Sequence, residues 1–216
     1  MKAAAVRENT REMILDAADR LLARYGYRKM SVEDIAQEVG IGKGTIYLHF
    51  SSKEEVALSR IDRVIEQLKD RLRADARSPD PAPERLRRML LDRVLFRFDN
   101  VQHYAESLND IFAAVRPGLL ARRERHFADE AAIFEEVLKE GRRAGVLAFR
   151  DARRTARAFI VATNALLPYT LSIRELGDRK RVEEETAQIA QLLIGGLTVA
   201  PGVVRGDRSK LRRLTK

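Results

Sequence analysis

The chain reads as an all-α protein, and three observations carry that reading. Apolar residues recur at spacings of three and four along most of its 216 residues, with no sustained period-two alternation of the kind a half-buried strand shows. Two Ser-x-x-acid sequences, Ser31 to Asp34 and Ser52 to Glu55, stand before such apolar runs as helix-start signals. Glycine and proline then punctuate the chain at helix-length intervals, at Gly26, Gly40, Ser78 to Pro83, Pro117-Gly118 and Gly141 to Gly145.

The first helix is expected from about Thr10, a candidate N-cap, with Ile14, Ala18, Leu21 and Tyr25 on one stripe, ending at Gly26. Ser31 opens the second, with Asp34 as a shorter stand-in for the usual capping-box Glu, and Gly40 closes it. Gly40 and Gly42 bracket a turn into a third, Lys43 to Leu48. Ser52 with Glu55 forms a full capping box for a fourth, running to about Arg73. Three prolines within residues 79–83 cannot continue a helix. Beyond them helices are expected at roughly 84–99, 101–115, 119–143, 151–176 and 179–198. The stretch 201–216 has no periodic apolar face and is expected to lack fixed structure.

Composition bounds the function. The chain has no cysteine, which removes disulfides, thiolate metal sites and cysteine nucleophiles. Two uncharged stretches, 158–173 and 186–204, are too short or too broken by Asn164, Pro168, Gly195, Gly196 and Pro201 to span a bilayer. With no apolar run of signal-peptide length at the N-terminus, a cytoplasmic location and no membrane partner are expected. The net charge is +9, but residues 1–60 hold ten basic and nine acidic side chains, whereas 205–216 hold six and one. Any nucleic-acid reading must therefore rest on individual side chains, and the basic tail fits a solubilising terminus better than a phosphate-binding arm.

The densest chemistry lies in Ile41 to Phe50, Ile-Gly-Lys-Gly-Thr-Ile-Tyr-Leu-His-Phe. Gly42 and Gly44 permit close approach of a backbone to a partner, at a cost in helix propensity. Lys43 is long enough to reach phosphate or a guanine edge, and Thr45, Tyr47 and His49 can donate to phosphate oxygens. Ile46 and Phe50 fall on the opposite face as core anchors. Lys53, in the first turn of the next helix, suits a phosphate held at that helix start. A plain loop or a weak phosphate-binding loop is the alternative, but the nucleotide-loop spacing and its preceding strand are missing.

At this point the sequence resembles the TetR family of transcriptional regulators. The likeness covers about Thr10 to Leu58: Ile14-Leu15-x-Ala17-Ala18-x-x-Leu21-Leu22, Tyr25-Gly26-Tyr27, Ser31-Val32-x-x-Ile35-Ala36, Gly44-Thr45-Ile46-Tyr47-x-His49-Phe50 and Ser52-Lys53-Glu54-Glu55. It implies an N-terminal three-helix DNA-binding domain with a helix-turn-helix, and a C-terminal helical domain for dimerisation and ligand binding. It also implies DNA contacts from Ser31, Lys43, Gly44, Thr45, Tyr47, His49 and Lys53. Leu48 departs from the aromatic or polar residue frequent there. The expected division is 1–52 for DNA binding, 53–200 for dimerisation and ligand, and 201–216 as the tail. A two-fold interface is expected from Ala156, Phe159, Ile160, Thr163 and Leu167 with Ile189, Leu192, Leu193, Gly196 and Leu197.

The expected function is a homodimeric regulator, a repressor of a palindromic double-stranded DNA operator released by a small, mainly apolar effector. Competing readings are an activator or ligand-independent regulator with a protein partner, and a helical small-molecule carrier. Pocket candidates are Phe96, Tyr104, Leu108, Phe112, Phe134, Phe159, Asn164 and Tyr169, for which plain core packing is the equal alternative. Asn164 and Pro168 favour a pocket locally, since an interior amide needs a partner. No cofactor, metal or catalytic residue is expected. His103 and His126 lack zinc-ligand spacing on a helix face, and the many Glu and Arg neighbours read as solvated helix faces.

Overall fold

The computed structural model of the chain describes residues 2–171 and 173–199. Its elements are α1 (Lys2–Lys29), α2 (Val32–Val39), α3 (Lys43–Tyr47), α4 (Lys53–Ala76), α5 (Ala82–Asp99), α6 (Leu108–Arg143), α7 (Ala152–Ala162), α8 (Ile173–Leu176) and α9 (Arg179–Gly195). Short 3₁₀ turns lie at Gln102–Ser107, Asn164–Leu166 and Pro168–Thr170. The protein is all-α, as its periodicity predicts; among the described residues the extended pairing is a lone antiparallel bridge between Leu147 and Thr198.

Local chemistry accounts for the first three helices. Thr10 is not the cap expected of it: α1 begins at Lys2, and the Thr10 hydroxyl donates to the Val6 carbonyl one turn back. Gly26, at φ 74°, interrupts α1 at its expected end, and a Cβ there would also strike Ser107 Oγ at 2.5 Å. The two capping boxes exchange roles. Ser31 and Asp34 make the complete reciprocal box, whereas Ser52 Oγ accepts from the Glu55 amide while the Glu55 carboxylate turns to Arg122. Gly40, at φ 78°, ends α2 in the left-handed conformation.

Two of the longer expectations are corrected by packing. Pro117 and Gly118 do not split 101–143 into two helices, because α6 runs through both. Gly118 is a point of close approach, where a Cβ would come within 2.4 Å of Leu58 Cδ1 on α4. The helix expected over 151–176 stops at Ala162: Pro168 forces Leu167 into extended geometry, ψ 147°, and two 3₁₀ turns precede α8. Residues 201–216 lie outside the described residues.

α4 packs on α5 and α6, α5 on α9, and α6 on α7. The apolar interior forms two clusters. One joins Leu15, Leu22, Ile35, Ile46 and Phe50 of the first helices to Val56, Val94, Phe98, Ile111 and Leu167, so it runs across the boundary expected at residue 52. The other joins Leu68, Leu72, Leu86, Phe134, Phe159 and Ala190 at the far end. The α7 face expected at a two-fold interface is instead interior: Ala156, Phe159, Ile160, Thr163 and Leu167 are all buried within the single chain.

Candidate functional site

α2 and α3 meet across Gly40 to Gly42, and their inner faces are pinned by Ile35, Ala36, Ile46 and Phe50, each at most 4% exposed. Pinning Ile46 and Phe50 turns Tyr47 (47% exposed) and Leu48 (71%) outward. Lys43 is exposed, pairs with Glu33 and lies 5.7 Å from the Tyr47 ring centroid. Its pKa is raised by the Glu33 hydrogen bond, yet an exposed pair of this kind contributes little, so the ammonium can exchange partners cheaply. Neither Gly42 nor Gly44 has a positive φ, and a Cβ on either would meet nothing within 4 Å.

The other residues of the expected contact set differ in freedom. Thr45 and His49 are half-buried at the edge of this face, His49 with its ring 6.4 Å from that of Phe50. Ser31 spends its hydroxyl on the Asp34 amide and carboxylate, which keeps Asp34 below its ordinary value. Lys53 is the larger departure. Its ammonium donates to the Tyr27 and Met30 carbonyls, both at 3.1 Å, and sits 4.3 Å from the Tyr27 ring centroid. The unfavourable place of a cation in the first turn of α4 is thus offset by carbonyls at the end of α1, where the helix dipole favours it.

Some 280 Å³ of cavity opens where α4, α5, α6 and the 3₁₀ turns after α7 converge. Ile61, Val64, Ile65, Ile111, Phe112 and Leu119 supply much of its apolar wall. Of the sequence candidates, Leu108, Phe112, Asn164 and Tyr169 line it. Phe134 and Phe159 do not: they pack edge-to-face, centroids 6.1 Å apart, in the far cluster. Phe96 also lies away from it, half-buried beneath Arg71 at 5.8 Å. The Tyr104 side chain is outside the described residues. Asn164 finds its partner within the chain, since the Tyr169 hydroxyl donates to Asn164 Oδ1.

Sequence reasoning missed the polar groups of this cavity. Arg60, Arg97, Arg116, Arg123 and His126 line it. Behind the wall, fully buried Arg93 donates through Nε to Glu130 Oε2 at 2.8 Å and through Nη1 to Thr163 Oγ1 at 2.7 Å, while Arg97 Nη2 takes Glu130 Oε1. Burial opposes ionisation of Glu130, but the charges of Arg97 and Arg93 outweigh it and hold the carboxyl low; burial pulls Arg93 down. His126 Nε2 meets Asp62 Oδ1 at 2.8 Å, and Arg122 bridges Asp62 to Glu55 at the start of α4. Burial works against the Asp62 carboxylate, but the His126 hydrogen bond and Arg122 outweigh it and hold it below the usual range. The available signal was positional: Arg93 and Arg97 continue the apolar stripe Leu86, Leu90 of α5, where a solvated arginine does not belong.

Residues 14–59 match the family model described as "Bacterial regulatory proteins, tetR family". A fatty acid metabolism regulator protein of Bacillus subtilis is 36% identical over 73 residues, 34% of this chain and 38% of that protein. The match thus spans little more than a third of that relative. The HTH-type transcriptional activator FasR of Mycolicibacterium smegmatis is 28% identical over 201 residues, 90% of this chain and 86% of that protein. Among solved structures, the transcriptional regulator FadR from Bacillus subtilis in complex with stearoyl-CoA superposes with a TM-score of 0.59 at 23% identity, over 86% of this chain and 98% of that one.

Proposed function

We propose that this chain, which belongs through its N-terminal domain to the TetR family of bacterial regulatory proteins, binds a palindromic operator as a homodimer and represses transcription until a small, mainly apolar ligand fills the cavity. The observation that carries the DNA reading is the pair Gly42 and Gly44. Among the described residues neither backbone geometry nor packing requires glycine at either position, which supports a return for the helix-propensity cost of Gly44 outside the chain. A major-groove surface needs such close approach, with Lys43, Tyr47 and Thr45 beside it as donors. His49 lies at its edge, and Ser31 caps α2.

The dimer reading is supported by Val161 on α7 and Leu192 on α9, which are 63% and 70% exposed in the single chain. With the stripe Ala156 to Leu167 spent on the interior, Val161 and Leu192 leave apolar surface on the outer faces of these helices. Two recognition helices about 34–36 Å apart would then read successive half-sites.

Ligand release is read as a population shift through α6. This helix lines the cavity with Phe112, Leu119 and His126, and it holds the start of α4 through Arg122 and Glu55. An effector that favours one position of α6 changes operator affinity by its differential binding energy and no more. The FasR relative, named an activator, favours a second reading in which the same DNA complex recruits transcription. The binding geometry is shared, and the place of the operator sets the sign.

The test is binding to labelled DNA from upstream of the protein's own gene, with excess random competitor at about 0.15 M salt, where screening suppresses nonspecific contacts. A saturable complex that survives competition is expected. Protein denatured, stripped of ligand and refolded that bound no such DNA would overturn the reading.

A further inference from the structure

We infer that the effector carries an anionic head on its apolar body, and that the head sits at the Arg97–His126 end of the cavity; this rests on the cavity being the ligand site. Among the described residues that line it are four arginines and a histidine, and no Asp or Glu.

The charges behind the wall do not balance that excess. Arg60 is matched by Asp19. Arg93 and Arg97 share the single carboxylate of Glu130, which leaves one positive charge unmatched in a triad that is 8% exposed or less. Arg116 and Arg123 make no ion pair among the described residues. Arg93 and Arg123 both lie over the Phe127 ring, 5.3 and 5.8 Å from its centroid, so the cations gather at one end.

Among the described residues two buried nitrogens near this end lack a hydrogen-bond partner, Arg93 Nη2 behind the wall and Nδ1 of His126, which lines it. His126 is 2% exposed, and its one engaged nitrogen faces Asp62, a carboxylate already met by Arg122. His126 and Glu130 stand one helical turn apart on α6, so His126 and the Arg97 held by Glu130, both lining the cavity, lie near one another. Buried charge is costly unless paired, and an unmatched buried cation beside an apolar cavity is a standing site for an anion. The apolar walls at Ile61, Ile65 and Ile111 take the rest of the molecule. The ligand class is therefore an anionic amphipath, for which a carboxylate head is the simplest case.

Calorimetric titration of the full chain with four probes of one tail length decides the matter: dodecanoate, methyl dodecanoate, dodecanol and dodecyltrimethylammonium, each below its micelle concentration. Dodecanoate is expected to bind at least about tenfold more tightly than the ester and the alcohol, and the cation not measurably. In R97M, where Arg93 and Glu130 remain as a matched pair, the acid-to-ester preference should shrink to about threefold or less. If R97M does not fold, Arg123→Ala, at an exposed position of the cavity lining, should still reduce the preference. Equal binding of the acid, ester and cation would overturn the anionic head and leave the cavity reading standing. Binding of none of the four would overturn the cavity reading, and the inference with it.

Discussion

The exposed face of α2 and α3 and the cationic end of the cavity use the same residue types in opposite ways. On the α2–α3 face the polar contacts are short in sequence and half-buried or exposed: Ser31 caps with Asp34, and Lys43 pairs with Glu33. At the cavity end they are long and dry: Arg97 reaches Glu130 across 33 positions, and Arg93 reaches Thr163 across 70. An exposed pair contributes little and can be exchanged for a phosphate, whereas removing the partner of a buried charge is strongly destabilising. One region is thus suited to binding and releasing a large anion, and the other to holding a fixed electrostatic field.

The largest test of that contrast is Glu130→Ala, which leaves two buried guanidinium groups unmatched. It should destabilise the protein by about 3–5 kcal/mol, read from the urea midpoint. A loss under about 1 kcal/mol would break the comparison, because a buried triad would then be behaving as a surface pair.

Acid should probe the same charges. Glu130 and Asp62 are both held below their ordinary values in the folded chain, so the unfolded state binds protons first. Their contribution is present above the ordinary carboxylate range and is lost as pH falls through and below about 4. A melting profile from pH 7 to pH 3 should therefore fall at its acid end, and Glu130→Gln should make that fall shallower than in the unaltered chain.

Tyr47→Ala sharpens the other side. Operator affinity should drop about tenfold, about 1.4 kcal/mol, with the melting temperature nearly unchanged, since Tyr47 lies outside the buried core. Lys53→Ala should instead lower stability, because its ammonium holds the carbonyls that end α1. The smallest effect expected is Ser31→Ala, about 1 kcal/mol of stability from the lost cap of α2, again by urea titration. A Ser31→Ala protein of full stability but weakened operator binding would move Ser31 from capping to contact.

Legibility followed the reach of each interaction. The caps at Ser31 and Ser52, the left-handed Gly40 and the exposed Gly44 and Tyr47 were readable, because they depend on neighbours within a few positions, whereas the cap expected at Thr10 was not one. Pro117 misled, since a proline in the middle of a helix is tolerated where Gly118 lets α6 lie against Leu58, and no local rule contains that contact. Phe134 and Phe159 were indistinguishable from Leu108 and Phe112 as apolar groups at helical spacing. Only the fold sends the first pair to the far core and the second to the cavity wall.

By itself the sequence determined the helical class, the helix-turn-helix segment and the outward chemistry of α3, because backbone propensity and capping act over one or two turns. The tertiary structure alone decided that Arg93 and Arg97 face inward, that a single Glu130 serves both, that His126 lines a cavity, and that Lys53 serves α1. Each depends on which distant helix arrives opposite, and an arginine carries no mark of its burial until that helix is in place.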